Sequence, residues 1–363
     1  MASLRAHALT SRYATVSLLR HKAQDSKDHQ VTALSRIVIT YEMNEQHLER
    51  LQSVFPDMDF VICASQEHLS TALPGAQALI GTLTRPELLA DFPELRWIQS
   101  NSAGVDKILS PELVEHDVTI TNFSGVQASS MAEHVLAMMF VFARGLPALI
   151  RRQPTREWTT QPPGEMPRLP QTRYFSRFTF ELKGQTLAIA GLGDVGRELA
   201  IRAKGLGMHV LGSKRRPDVI PEGVDRLYGP DDWYDMLAEA DHVAICLPLT
   251  RHTHHLVGAR ELQAMKPSAY IYNVSRGEVI DQDALIQVLE REEIAGAGLD
   301  VVTPEPLPVE SPLWEMPNVL VTCHTSGASP LIEDRGIDLI VENVRRYQQG
   351  EPLLNVVDKR EGY

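Results

Sequence analysis

A glycine-rich turn, GLGDVG at residues 191–196, stands between a short apolar run at 185–190 (QTLAIA) and a helical pattern at 197–207. Few features constrain a fold more, because a strand, a tight glycine turn and a helix in this order build the first half of a dinucleotide-binding unit in a parallel sheet. Gly191 permits the turn, Gly193 lets backbone approach a pyrophosphate, and Gly196 lets the helix lie close on the strand. The phosphates are then expected at the helix start, at Asp194 and Val195, where unpaired N–H groups point at them. A second strand is predicted at 208–212.

The turn after that second strand speaks to the identity of the dinucleotide. A chain adapted to NAD carries an acid here for the ribose hydroxyls, but the residues are Ser213, Lys214, Arg215 and Arg216, and the first acid is Asp218. A hydroxyl and three cations suit a 2′-phosphate, since guanidinium groups match phosphate oxygens bidentately. NADP(H) is therefore the favoured cofactor. NAD(H) stays possible, with the basic turn merely solvated.

At 363 residues the chain exceeds what one compact core usually holds, so two domains are expected. Its formal net charge of −12 argues against a general affinity for nucleic acid or anionic membrane. No apolar run is long enough to span a bilayer. The three cysteines, Cys63, Cys246 and Cys323, form no metal or disulfide spacing, which points to a reducing compartment, the cytoplasm. Residues 1–35 differ in composition. Arg5, Arg12, Arg20 and Lys22 precede the first acid, Asp25, a pattern shared by mitochondrial targeting segments and by disordered extensions that carry no address.

From Arg36 onward short apolar runs alternate with helical patterns. Strands are predicted at 37–40, 60–63, 78–81, 97–100 and 118–122, and, beyond the glycine turn, at 242–247, 269–273, 296–300 and 319–322. An apolar helix at 129–144 joins the two sets. A Pro- and Arg-rich arm occupies 147–177, and a last helix at 332–349 is expected to stop at Gly350. His252, His254 and His255 invite a metal reading, but no Asp, Glu or Cys completes a ligand set, so no metal is expected.

Several blocks resemble the D-isomer-specific 2-hydroxy-acid dehydrogenases, in that family's order: SNSAGVD at 100–106, LPLT at 247–250, NVSRGEVID at 273–281, GAGLDVVTPEPLP at 296–308 and NVLVTCH at 318–324. The resemblance implies an α/β protein of two doubly wound parallel-sheet domains. A Rossmann cofactor domain (125–325) would be inserted in a flavodoxin-like substrate domain made of 36–124 and 326–358. It implies a homodimer, and a cofactor site that also draws on Leu247, Pro248, Thr253, Val274, Ser275 and Asp300, the last toward the nicotinamide carboxamide. It implies catalysis by Arg276, Glu305 and His324. Cys323 is a departure, since proline commonly precedes the family's histidine; here a thiol is expected, buried beside the imidazole.

These residue types suit reduction of a 2-keto acid. An imidazole titrates near neutrality, so His324 can give a proton to the carbonyl oxygen or take one back. Glu305, between two prolines, would orient that ring and favour its charged form. Arg276 can fork onto the substrate carboxylate or polarise the carbonyl, and the backbone of Ala103 and Gly104 can approach the same carboxylate closely. The far end of the substrate would face 41–44, 82–85, Arg173 and Tyr174. Glyoxylate and hydroxypyruvate are the default substrates, with Tyr41, Met43 and Leu83 as the wall for a larger keto acid. The alternative is a corepressor-like protein that uses the fold as a cofactor-gated binding platform.

Overall fold

Runs of Ile, Val, Leu and Ala form twelve strands in the computed structural model, which describes residues 34–363 apart from 64, 66–67, 84, 151–152, 155, 157–178 and 216–218. The expected extension up to residue 33, most of the arm with Arg173 and Tyr174, and Arg216 lie outside the described residues. Leu34 is already buried against the core beside Ile37 and Ile39.

Strands β1 (Arg36–Ile39), β2 (Asp59–Ile62), β3 (Ala78–Ile80), β4 (Trp97–Gln99) and β5 (Thr119–Thr121) make the first sheet, in the order β2-β1-β3-β4-β5. Strands β6 (Thr186–Ala190), β7 (His209–Ser213), β8 (Arg226–Tyr228), β9 (His242–Ile245), β10 (Tyr270–Asn273), β11 (Gly296–Leu299) and β12 (Val319–Val321) make the second, in the order β12-β11-β10-β9-β6-β7-β8. Every neighbouring pair is parallel. Both orders reverse direction inside the sheet, and ligands of such sheets bind beyond the carboxyl ends of the strands at the reversal.

Both faces of each sheet are buried, which is why the strands read as continuous apolar runs. Val38 points into one core and Ile37 and Ile39 into the other; Ala188 and Ala190 face one side of the second sheet, Leu187 and Ile189 the opposite one. Strand β8 is absent from the expected set. It is three residues at the sheet edge, held by pairing with β7 through Arg226 and Leu211, and too short to show a pattern of its own.

Two long helices tie the sheets together. Ala128–Ala143 lays Val135, Met138, Met139 and Phe142 on the second sheet, against Leu187, Ile189 and Tyr272. Ile332–Gln349 returns to the first sheet, where Ile337, Ile340, Val341 and Val344 pack on Ile37, Ile39 and Trp97. Burying each such side chain contributes about 1.5–3 kcal/mol. Asn343 of this helix is fully buried, with its amide donating to Gln99 Oε1 at 2.9 Å and its oxygen accepting from Leu354 N at 2.7 Å. The helix ends at Gly350, whose φ of 67° is the left-handed conformation glycine adopts without a Cβ penalty. The chain then lies along β5, through a bridge between Thr121 and Val356 and a bond from Val357 N to Ile120 O at 2.8 Å.

Candidate active site

Parallel pairing of β10, β11 and β12 puts their carboxyl ends on one edge, so three loops far apart in sequence emerge side by side. They carry Arg276, Glu305 and His324. Gly277 sets the spacing between the first two loops: a Cβ there would stand 2.1 Å from Val302 O and 2.5 Å from Thr303 Oγ1. Only glycine lets the Arg276 loop lie on the Glu305 loop. Asn273, buried at the end of β10, folds the first loop by donating to Arg276 O at 2.8 Å and accepting from Ser275 N at 3.0 Å and Ser275 Oγ at 2.9 Å. Val274 is buried beneath it. Gln282 fixes the second loop by accepting from Thr303 N at 2.9 Å.

His324 Nδ1 lies 2.9 Å from Glu305 Oε2. An ionised carboxylate only accepts, so Nδ1 carries the proton toward it and Nε2 is the nitrogen left to exchange a proton with a reacting group. Glu305 Oε1 accepts from Val302 N at 3.3 Å, which ties the carboxylate to its own loop. His324 has a φ of 53°, a left-handed conformation uncommon outside glycine, and its backbone is held there by a bond from its N to Asp300 O at 2.8 Å.

Asp300 does more than end β11. Its buried carboxylate accepts from Thr322 Oγ1 at 2.6 Å, Thr325 N at 2.9 Å and Ser326 N at 2.9 Å, three groups flanking His324. Burial pushes this carboxyl upward, but the hydrogen bonds from Ser326, Thr322 and Thr325 outweigh it and hold the group below the usual carboxylate range. The carboxylate expected to face a nicotinamide is thus the anchor of the histidine loop. His134 Nε2 extends the chain, 3.0 Å from the Thr322 hydroxyl, so this helical histidine stands behind the site.

Across from the histidine loop, Arg276 meets the turn after β4. Its Nε and Nη2 donate to Asp106 Oδ1 at 3.2 and 3.0 Å, and its Nη1 donates to Ser275 O at 2.9 Å. Three of five guanidinium hydrogens are thereby used, leaving one on each terminal nitrogen, the pair that forks onto a carboxylate. Gly104 touches this group: a Cβ there would fall 1.8 Å from Nη2. Ala103 O accepts from Asn122 Nδ2 at 2.8 Å, which sets the turn.

The glycine turn is shaped as a cradle. Gly191 has a φ of 93°, and a Cβ on it would lie 2.7 Å from Cys246 O. At Gly196 a Cβ would lie 2.1 Å from Gly191 O, whereas at Gly193 it would meet nothing within 4 Å, so backbone faces open space there. Asp194 begins the helix Asp194–Gly205, which leaves its N–H groups toward the cradle. Its side chain is already engaged, accepting from Ser124 Oγ at 2.8 Å and Arg197 Nη2 at 2.6 Å. Val195 packs on the core below. These residues fit a dinucleotide phosphate.

The remaining expected cofactor residues flank the cradle. Ser213 ends β7, Lys214 N donates to Tyr228 O at 3.2 Å, and Arg215 is exposed and paired with Glu361. Leu247 packs against the core and Pro248 O accepts from Thr253 Oγ1 at 2.6 Å. Thr253 Oγ1 also accepts from Thr250 N at 2.8 Å, so its hydroxyl folds the turn after β9.

Two expectations are corrected. Cys323 is exposed rather than buried, because β12 is the edge strand and the loop after it leaves the sheet. Leu83 is not a pocket wall: it is 5% exposed and belongs to the core under the first sheet with Val38 and Ile98. Tyr41 and Met43 pack half-buried against the other core. Burial, aided by the charge of Glu333, pushes the Tyr41 phenol up to about 12, so it stays neutral.

Asp106, Gly277, Asn273, Gln282 and Ser124 were not expected in the site. Asp106, Gly277 and Asn273 sit within the quoted blocks, a signal that marks the segment without saying what each side chain touches.

A family model described as "D-isomer specific 2-hydroxyacid dehydrogenase, NAD binding domain" matches residues 136–326. The chain is 32% identical to a glyoxylate reductase of Korarchaeum cryptofilum, over 89% of this chain and 96% of the relative. It is 34% identical to a glyoxylate/hydroxypyruvate reductase B of Pectobacterium carotovorum, over 88% of this chain and 97% of the relative. A D-isomer specific 2-hydroxyacid dehydrogenase of Xanthobacter autotrophicus, solved in complex with NADPH and MES, superposes with a TM-score of 0.75 at 31% identity, covering 91% of this chain and all of the other.

Proposed function

The chain belongs to the D-isomer-specific 2-hydroxyacid dehydrogenase family and is an NAD(P)-dependent oxidoreductase; from that premise we propose that it reduces a short 2-keto acid, glyoxylate or hydroxypyruvate, with NADPH. The observation that carries the proposal is the 2.9 Å contact between His324 Nδ1 and Glu305 Oε2 on the edge that also presents Arg276. The names of the relatives support the substrate class. The NADPH-bound neighbour and the Ser213-Lys214-Arg215 turn support the phosphorylated cofactor. NAD(H) is the competing choice.

When bound, the reduced dinucleotide supplies the hydride. Arg276 binds the substrate carboxylate with its two remaining hydrogens, beside the backbone of Ala103 and Gly104. Asp106 aims the guanidinium without discharging it. Glu305 holds the Nδ1 proton and turns Nε2 toward the carbonyl oxygen, stabilising the imidazolium from which that oxygen takes its proton. In the oxidative direction Nε2 takes the proton back. The glycine turn, with Asp194 and Val195 at the helix start, holds the pyrophosphate, and Val274, Ser275, Leu247, Pro248 and Thr253 flank the cofactor. Asp300 acts chiefly by fixing the histidine loop. Residues 36–124 with 326–358 form the substrate domain and 125–325 the cofactor domain, in a cytoplasmic homodimer whose mass light scattering would read.

Initial rates of the purified chain with NADPH and NADH against glyoxylate, hydroxypyruvate, a branched 2-keto acid and phenylpyruvate test the reading. NADPH-selective turnover of the two short acids is expected. Equal use of NADH would overturn the phosphate site, and a preference for the larger acids would overturn the substrate class. Cofactor binding without turnover of any acid would favour the corepressor-like alternative.

A further inference from the structure

The last described segment, residues 358–363, crosses from one sheet to the other. Asp358 closes it into a loop: its N donates to Tyr363 O at 2.9 Å, its O accepts from Gly362 N at 2.8 Å, and its Oδ1 accepts from Arg360 N at 3.0 Å and Glu361 N at 3.1 Å. Lys359 fastens the loop to the first sheet, with its ammonium donating to His116 O and to Val118 O, the latter at 3.1 Å. The other side of the loop meets the second sheet. Glu361 pairs with Arg215 Nη1, the Tyr363 hydroxyl accepts from Arg215 Nη2, and the guanidinium also lies 5.4 Å from the centre of the Tyr363 ring. Gly362 lies against the turn after β9, where a Cβ would come within 3.9 Å of Thr250 Cγ2.

Arg215 and Thr250 follow β7 and β9, the strands on either side of β6 and its glycine turn. The segment therefore sits at the adenosine end of the cradle, with a carboxylate on Arg215, the cation proposed above to meet the 2′-phosphate. Arg215 holds the Glu361 carboxyl below its ordinary range, so Glu361 is ionised at neutral pH.

We propose that Glu361 is a cofactor-specificity residue acting as an internal competitor: the 2′-phosphate of NADP(H) must displace its carboxylate from Arg215, whereas NAD(H) leaves that ion pair in place. The proposal rests on the reading of Arg215 as the phosphate site. Binding of the phosphorylated cofactor exchanges one anion for another on the same guanidinium, with Lys214 and Ser213 adjoining, and loosens the contact between the segment and the cofactor side. Selectivity for NADP(H) is set by the difference between the two anions and is smaller than the basic turn alone would give.

Calorimetric titration of the full chain with adenosine 2′,5′-bisphosphate and with adenosine 5′-monophosphate tests this without turnover. Glu361→Gln is expected to bind the bisphosphate about two- to fivefold tighter, the range of an exposed ion pair, with the monophosphate unchanged. Arg215→Ala is expected to bind the bisphosphate about tenfold more weakly, again with the monophosphate unchanged. If Arg215→Ala binds both ligands as the parent chain does, the phosphate-site reading falls and the competitor falls with it. If Arg215→Ala loses the bisphosphate while Glu361→Gln gains nothing, loses affinity, or gains equally for both ligands, the phosphate site stands and the competitor is overturned.

Discussion

At the carboxyl ends of β10, β11 and β12 the loops are tied by several hydrogen bonds to buried or half-buried side chains: Asn273 under Arg276, Gln282 on Thr303, and Asp300 under His324. Elsewhere on the same sheet the ties are exposed ion pairs: Arg215 with Glu361 beside the cradle, and Lys204 with Asp225 and Arg226 with Glu239 toward the amino ends of the strands. The two constructions differ in cost and in freedom. Leaving a buried polar group without its partner costs about 1–3 kcal/mol, whereas an exposed pair is worth about 0–1 kcal/mol. Proton transfer needs atoms held to a few tenths of an ångström, and the first construction supplies that. On the proposed reading of Arg215, discriminating two cofactors that differ by one phosphate needs a cation that can change partners, and its pair with Glu361 is of the second kind.

The largest expected effect is at the rigid end. His324→Gln keeps the loop and removes the nitrogen that exchanges the proton, so kcat is expected to fall by about 10²- to 10⁴-fold in steady-state assays while NADPH binding, followed by its fluorescence, is retained. Gly277→Ala would drive a methyl group into Val302 O; a loss of about 1–3 kcal/mol in urea unfolding is expected, with a raised KM for the keto acid because Arg276 shifts with its loop. An unchanged KM would break the link between Gly277 and the position of Arg276.

A buried histidine behind the cofactor side offers a pH test. His242 is fully buried, with ring nitrogens 3.0 Å from the Tyr272 hydroxyl and 2.6 Å from Gln185 Oε1. Burial pushes it down to about 4, against the opposing charge of Asp241. The unfolded chain takes up a proton near its ordinary value of about 6.5 while the folded chain resists, so the neutral ring's stability is fully present above pH 6.5 and is lost as pH falls toward 4. A decline on the order of a few kcal/mol over that window is expected in urea midpoints, and His242→Gln should flatten it. The smallest effect belongs to the exposed pairs: Lys204→Met should change stability by no more than about 1 kcal/mol in urea midpoints. A larger loss would show that such pairs hold the sheet more firmly than their exposure implies.

Much of this was legible in the residues. The glycine turn announced its own geometry because each glycine answers a local steric demand, and the apolar runs announced strands because both sheet faces are buried. Arg276, Glu305 and His324 were singled out through their blocks, whose order resembles a known family, and the structure brings them to one edge of the sheet. The strand β8 was not, since three residues at an edge carry no periodicity. Asp106 was not, since its partner Arg276 lies 170 residues away and nothing local to either says that they meet. Leu83 was misplaced as a pocket wall because an apolar residue after a strand reads the same whether it faces a core or a cleft.

The sequence by itself determined the dinucleotide cradle, the alternation of strands and helices and the chemical types at the site, because these follow from backbone sterics, burial period and side-chain chemistry within short spans. Only the tertiary structure decided that Asp300 anchors the histidine loop, that Asp106 aims Arg276, that Cys323 is exposed, and that Glu361 occupies Arg215. Each of those depends on parallel strand order and on the return of the last helix to the first sheet. Such contacts join residues far apart in the chain, and their energy exists only once both partners have been brought together.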